Sequence, residues 1–314
     1  MNDVTHSITV AAPPEAVYAI ISDTSRWPVN FQPTVHVEQL DHDGTSERFR
    51  IWALAGDEVK TWTSRRELDP EALRITFRQE VSQPPIAAMS GSWDIKPAPG
   101  GGCELVLGHS YRAVRDDPAD LAWIAEVTDR NSRTELANIK ALAESSEARE
   151  ELWIDFEDTV VVAGEVSDVY DFLYRAKQWP DRLPHVSRMD LTESRPGVQI
   201  MEMDTVTADG SRHTTKSVRI CFPDERIVYK QTVVPPLMTA HTGVWTVAAV
   251  RGGVSVTSQH TVAIRPEAVA GVLGESATVA DAREFARTAL STNSRITLEH
   301  AKAFAEGPSD RSAV

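Results

Sequence analysis

The chain says nearly everything twice, and that duplication limits what it can fold into. "ITVAAPPEAVYAIISDTSRWP" ends at Trp27-Pro28, and "VVVAGEVSDVYDFLYRAKQWP" ends at Trp179-Pro180. Each has a β-branched run, a small turn, a Val-Tyr pair in an apolar-periodic segment, then Trp-Pro. The order persists downstream. "RITFRQEVSQPP" is echoed by "RIVYKQTVVPP", Trp93 by Trp245, "GGCELVLGH" by "GGVSVTSQH", and "NSRTELANIKALAE" by "NSRITLEHAKAFAE". The period is about half the chain, far above the roughly 20–50 residues of solenoid repeats, so this is a duplicated domain. The polar stretch "AESSEAREE" marks the boundary. The expected domains are 1–146 and 147–307, followed by a disordered tail at 308–314.

Both copies read alike. A strand (Ser7 to Ala11; Thr159 to Ala163) precedes a short amphipathic helix (Pro14 to Ser22; Val166 to Arg175) and a Trp-Pro loop. About six alternating strands follow, broken by "DHDG", "LDPE" and "PAPGGG" in copy one and by "TADG", "FPDE" and "VRGG" in copy two. A long helix closes each copy, Pro118 to Glu144 and Ala280 to Glu306, with Leu121, Ile124, Val127, Leu136 and Ile139 as the first one's apolar face. Copy two inserts "EAVAGVLGESATV" before its helix. This is an α+β plan, a curved antiparallel sheet gripping one helix, with a cavity wherever side chains leave room.

Alternation assigns side chains to that cavity. In "KTWTSRREL", Trp62, Ser64, Arg66 and Leu68 share the inward face. Ile75, Phe77 and Gln79 share the next strand's inner face, and Cys103, Leu105, Leu107, His109 and Tyr111 share another. Aromatic walls with a sparse polar set describe a small-molecule pocket. Each residue also has a plain alternative. Arg66 could pair with a carboxylate such as Asp94 or Glu104, and a single inward His is commonly a hydrogen-bonded core residue. Copy two retains Ser217, Arg219 and His260 at the positions of Ser64, Arg66 and His109.

Composition removes other classes. The chain is 41% hydrophobic and 25% charged, a globular balance. No apolar run reaches the ~20 residues of a membrane span, and the N-terminus lacks a signal-peptide pattern, so the expected compartment is the cytoplasm. A formal charge of −14 argues against nucleic acid. Two cysteines, no HExxH and no GxGxxG, P-loop or GxSxG leave metal, nucleotide and acyl-enzyme mechanisms without a motif.

The motifs "SRWPVNFQP" and "WTSRR", together with the duplication, resemble the two-domain aromatase/cyclases of bacterial type II (aromatic) polyketide biosynthesis. Each half resembles a helix-grip domain of the START/Bet v1-like superfamily. The resemblance implies an enzyme without cofactor, acting on a poly-β-ketone carried on the phosphopantetheine of acyl carrier protein. The ketosynthase and ketoreductase of the pathway would be further partners. The reaction implied is first-ring intramolecular aldol closure, C7–C12 on a reduced chain, then dehydration to an aromatic ring. A developing oxyanion suits Arg66, a permanent cation. His109 is the inward group best suited to proton transfer, and Ser64 would orient a carbonyl or water. Trp27, Phe31, Trp62, Phe77, Gln79, Trp93 and Tyr111 would shape the pocket. Copy two has Thr215 for Trp62 and Leu183 for Phe31, so catalysis is expected in copy one. Arg219, Ser217, His260, Trp179, Tyr229 and Trp245 form the weaker second pocket. The competing readings are a helix-grip carrier that binds a lipid-like or polyphenolic ligand without reacting it, and an interaction scaffold with filled cavities.

Overall fold

The computed structural model describes residues 1–145, 151–206, 210 and 212–307. The chain divides into two compact units, Met1–Arg149 and Glu150–Val314. The expected boundary at 146/147, the tail at 308–314 and most of the "TADG" turn lie outside the described residues.

Unit one runs β1 (Asn2–Val10), α1 (Pro14–Ser22), a 3₁₀ turn, α2 (Trp27–Asn30), then six strands. These are β2 (Thr34–His42), β3 (Ser46–Ala55), β4 (Glu58–Asp69), β5 (Arg74–Val81), β6 (Ile86–Pro97) and β7 (Cys103–Ala113), followed by α3 (Pro118–Glu144). The strands β2 to β7 form an antiparallel meander, and β1 closes on β7 to give the order β1-β7-β6-β5-β4-β3-β2. Unit two repeats this as β8 (Trp153–Val162), α4 (Val166–Tyr174), α5 (Trp179–Arg182), β9 (Val186–Arg195), β10 (Val198–Val206), β11 (Arg212–Phe222), β12 (Arg226–Val233), β13 (Met238–Val250) and β14 (Gly253–Ile264). Its sheet order is β8-β14-β13-β12-β11-β10-β9. The inserted segment forms a short α6 (Val269–Leu273), and α7 (Val279–Glu306) closes the unit.

The helices begin where local chemistry dictates. Pro14 opens α1, where a missing N–H costs nothing. The Asp117 side chain accepts from Ala119 and Asp120 N–H at the start of α3, and Thr278 with Asp281 forms a capping box on α7. Both long helices lie against their sheet through matched anchors. Near its end, Lys140 Nζ donates to Thr9 O (2.9 Å) and Glu144 accepts from Ala11 N (2.7 Å). Lys302 and Glu306 make the same two bonds to Val161 O (2.7 Å) and Ala163 N (2.8 Å). At mid-helix the clamp differs in chemistry. His6 lies 2.8 Å from Asp129 in unit one, whereas Asp158 accepts from Ser291 (2.9 Å) and Arg295 (2.7 Å) in unit two.

The first strands are longer than expected. β1 starts at Asn2, not Ser7, and β8 at Trp153, not Thr159. The antiparallel ladder continues to Asn2↔Tyr111, and alternation persists with His6 buried while Thr5 and Ser7 are exposed. The core of unit one gathers Val10, Ile75, Leu105, Leu107, Leu136 and Ile139, all fully buried. Each such side chain contributes roughly 1.5–3 kcal/mol on burial. Among the described residues no helix is long and apolar enough to cross a membrane.

Candidate functional site

Antiparallel pairing sets one row of residues across the inner face of each sheet. In unit one the row reads Glu47, Arg66, Phe77, Gly91, His109. In unit two it reads Gln199, Arg219, Tyr229, Gly243, His260. Arg, Gly and His recur, while the acid becomes an amide and Phe gains a hydroxyl.

Arg66 is 1% exposed. Its Nε donates to Glu47, which also forms an ion pair with Nη2. Its Nη1 donates to Ile21 O (2.8 Å) and its Nη2 to Ser22 O (2.8 Å). Those carbonyls belong to the last turn of α1, which no intrahelical N–H can satisfy. A cation there also meets the negative end of the helix dipole. The guanidinium lies 4.9 Å from the Trp27 ring centroid and 5.4 Å from that of Phe49. Arg66 is therefore inward, as alternation requires, but it arrives already paired. Its acid is Glu47, not Asp94 or Glu104. Asp94 holds Arg74 at 3.1 Å, and Glu104 faces Lys96 at 3.9 Å.

Arg219 is equally buried, at 2% exposed. Its Nη2 donates to Leu173 O (2.6 Å) in the last turn of α4, the same cap that Arg66 provides. The cross-strand neighbour, however, is neutral. Gln199 Nε2 is turned toward Glu193 (3.1 Å), which also accepts from Tyr174 Oη (2.6 Å) and Gly197 N (2.8 Å). Arg219 Nη1 is buried without a hydrogen-bond partner. Burial pulls its pKa down, with Cys221, Tyr170, Tyr174 and Glu193 opposing the shift. A guanidinium nevertheless stays charged.

Beside it lies a linked polar cluster. Tyr229 Oη is 2.9 Å from His260 Nδ1 and 3.4 Å from His241 Nε2, and the two imidazoles are 3.0 Å apart. His260 Nε2 reaches Ser294 Oγ at 2.7 Å and Ser258 Oγ at 3.1 Å. Burial lowers His241 to about 3, helped by His260. It lowers His260 to about 4 against the pull of Asp158. Both rings are neutral at pH 7, and burial raises the Tyr229 phenol. Gly243 makes room for this cluster, since a Cβ there would fall 2.4 Å from Tyr229 Oη and 2.5 Å from Gln259 O. A cavity of about 110 Å³ opens between this sheet and α7, lined by Trp179, Ser217, Arg219, Tyr229, Trp245 and His260 among others.

The other expected residues fall as follows. In unit one Ser64 is buried, Trp62 is half-buried opposite Ile51, and Phe31 packs edge-on against Trp27 at 5.6 Å. Gln79 Nε2 lies 3.9 Å from Met89 Sδ, and Gln79 Oε1 accepts from Ser82 Oγ at 2.8 Å. Trp93 and Tyr111 belong to packed apolar clusters. Phe77 meets His109 edge-on at 5.5 Å, and burial, with His6 nearby, lowers His109 to about 4. A larger open groove of about 490 Å³ lies among the outward residues Arg65, Arg74, Arg78, Ser90, Ser92 and Ser110, with Phe77 and His109 at its floor. Arg65 and Arg74 are already ion-paired there. Sequence reasoning missed Glu47, Gln199, His241 and Ser294. Ladder register combined with the repeat is the signal that finds them, since His241 stands where copy one has Met89. Among the described residues no group of three or more His, Cys, Asp or Glu side chains is placed to hold a metal.

Two seven-stranded antiparallel sheets, each gripping a long closing helix and carrying an inward Arg-His row, define a tandem helix-grip protein. A family described as "Polyketide cyclase / dehydrase and lipid transport" matches residues 1–144, and a second of the same description matches residues 162–285. The granaticin polyketide synthase bifunctional cyclase/dehydratase of Streptomyces violaceoruber is 48% identical, over 94% of this chain and 92% of that protein. The actinorhodin polyketide synthase bifunctional cyclase/dehydratase of Streptomyces coelicolor is 49% identical, over 97% of each. The crystal structure of the di-domain ARO/CYC BexL from the BE-7585A pathway superposes with a TM-score of 0.89 at 51% identity, covering 98% of this chain and 100% of that one. StfQ from the steffimycin pathway gives 0.86 at 39%, covering 96% and 98%. The chain belongs to the two-domain polyketide cyclase/dehydratase family, the aromatase/cyclases.

Proposed function

We propose that this enzyme closes the first ring of a reduced poly-β-ketone by C7–C12 aldol condensation, and that closure takes place in the unit-two cavity. The substrate would arrive on the phosphopantetheine of acyl carrier protein, from the ketosynthase and ketoreductase of the same pathway. The observation that carries the placement is Arg219 Nη1, a buried donor with no partner, beside Tyr229 and His260. It reverses the ranking expected from sequence, because Glu47 already takes the charge that Arg66 would offer.

The chemistry follows from the charges. A methylene between two carbonyls gives up a proton easily, so a weak base suffices. The Tyr229–His260–Ser294 chain accepts that proton, and the resulting carbanion attacks a ketone carbon within the same molecule. The carbonyl π electrons move onto oxygen, where Arg219 meets the developing negative charge in a low-dielectric setting. The relay then returns the proton to the alkoxide, leaving protein and proton count unchanged. No oxidant or reductant enters this balance, consistent with a reaction that needs no cofactor. At about 110 Å³ the cavity is smaller than the ~150 Å³ that houses one benzene-sized ring, so a ring that closes there needs its walls to move apart. Holding one folded conformer is itself a large share of the rate.

The test is product analysis from a reconstituted synthase carrying Arg219→Ala. Directed ring closure should fall by roughly 10²–10³-fold, the cost of losing one such donor. An unchanged product distribution from folded Arg219→Ala would remove the placement.

A further inference from the structure

The wall of the unit-two cavity holds an acceptor that ring closure does not use. Gln231 follows Tyr229 on β12 with one residue between, so both side chains share the inner face, and it pairs with Ser217 of β11. It lines the cavity. Its Oε1 is buried and has no hydrogen-bond partner among the described residues. The repeat supplies the comparison. "RITFRQEVSQPP" and "RIVYKQTVVPP" pair Gln79 with Gln231 and Ser82 with Val234. In unit one Gln79 Oε1 accepts from Ser82 Oγ at 2.8 Å. In unit two Val234 has no side-chain donor and packs with the apolar cluster around Ile154, Leu237 and Val262. The amide is kept, while the hydroxyl that would satisfy it is lost.

A buried amide oxygen can only accept, and leaving it unpaired is unfavourable. Its partner must therefore bring an O–H or N–H. The complementary group stands nearby, since Arg219 Nη1 is a buried donor with no partner among the described residues. Arg219 and Gln231 are diagonal neighbours on adjacent strands, a separation of roughly 7–8 Å at the backbone. A guest that satisfies both must accept at one point and donate at another. A poly-β-ketone with every carbonyl intact does this poorly, because its enols hold their O–H on the neighbouring carbonyl. A chain in which one ketone has become a secondary alcohol does it well. Nδ1 of His185 and of His241, on the same lining, also lacks a partner among the described residues. An imidazole nitrogen donates or accepts according to tautomer, so neither discriminates between the two chains.

We propose that Gln231 is a specificity-determining residue, whose Oε1 accepts the O–H of a secondary alcohol on the substrate while Arg219 donates to a ketone of the same chain. No bond forms or breaks at Gln231. It selects which chain is held and in which register, because the alcohol must lie at β12 when the carbonyl lies at β11. The reaction that supplies this substrate is then a ketone reduction completed before ring closure. The inference rests on the reading that closure takes place in the unit-two cavity, and it adds the group that chooses the chain.

The experiment titrates full-length protein with 4-hydroxycyclohexan-1-one and with cyclohexane-1,4-dione, followed by ligand-observed NMR. The two rings differ by one alcohol in place of one ketone. Wild type should bind the alcohol roughly tenfold more tightly, the effect of one buried hydrogen bond whose loss leaves an acceptor unpaired. Gln231→Met removes the acceptor at similar volume, so the preference should vanish. Val234→Ser would give Oε1 the donor that its counterpart has in unit one, and should abolish the preference with the amide still in place. A packing role for Gln231 would not produce that second effect, and Val234→Ser also gives a reading should Gln231→Met fold poorly. A wild type that does not favour the alcohol, or a preference retained by either folded variant, would overturn the proposal. Binding is read without turnover, so its outcome is separate from that of Arg219→Ala.

Discussion

Glu47 and Arg66 face each other across neighbouring strands as a buried ion pair, 4% and 1% exposed. At the same ladder position in unit two, Gln199 faces Arg219. This exchange of acid for amide is one atom wide in chemical terms. It leaves Arg66 paired with an acid across the strand and Arg219 facing a neutral amide.

Gln199→Glu should import the unit-one pair into unit two. The new carboxylate would neutralise Arg219, so directed ring closure should drop by roughly 10²-fold while the fold is retained. Product analysis beside a thermal melt measures both. Full activity in the Glu variant would show that Arg219 does not act through its charge.

Glu47→Gln makes the opposite change and should act on stability. It leaves Arg66 buried without its counter-ion, and breaking such a pair costs about 3–5 kcal/mol. A urea titration of the intact chain should show the loss in the transition of unit one. A midpoint shift too small to resolve would mean that Ile21 and Ser22 carbonyls suffice to hold the guanidinium.

Tyr229→Phe copies Phe77 into unit two. Its hydroxyl lies 2.9 Å from His260 Nδ1, so the change removes one end of the relay. Stability should fall by only about 0.5–1.5 kcal/mol, the net worth of a hydrogen bond. The turnover rate should fall 10²-fold or more. Equal losses of turnover and of folded fraction would assign Tyr229 to packing alone.

Gly243→Ala tests the geometry behind that relay. The added methyl would sit 2.4 Å from Tyr229 Oη and 2.5 Å from a backbone oxygen, so something must move. Overpacking of this kind costs about 1–3 kcal/mol. Turnover should fall as in Tyr229→Phe, and melting together with rate measurements checks the pairing of effects.

Glu135 should make stability depend on pH with a definite sign. Its folded pKa of about 7 lies above the ordinary 4.5. Between those values the folded chain holds a proton that the unfolded chain has released, so stability drops as pH rises through the window. Below 4.5 both states are protonated and the fold carries no penalty from this group. Glu135→Gln removes the titration, so its melting temperature should exceed that of wild type by a few degrees at pH 8. The two should converge at pH 4. A constant offset across the range would show that Glu135 is solvated.

Much of this was legible before any coordinates. The repeat announced two units, Pro14 and the Trp-Pro loops placed the short helices, and period-two alternation turned Arg66, Ser64, His109 and their copies inward. Side-chain alternation is a property of a single strand, so sequence alone determines it. Which residue stands beside Arg66 is a property of two strands. It depends on hairpin register, and a one-residue slip would have set a different neighbour there. For that reason Glu47 and Gln199 stayed invisible, and the chamber expected to be catalytic was the one whose cation is already paired. Glu135 escaped notice on similar grounds. Its helix is evident from the apolar face, but a flank residue is turned toward the chamber or toward water only by how α3 rolls onto the sheet. The sequence by itself determined which residues point inward; tertiary packing alone decided which charges meet there, because Coulomb energy in a dry interior depends on distances that no single strand or helix contains.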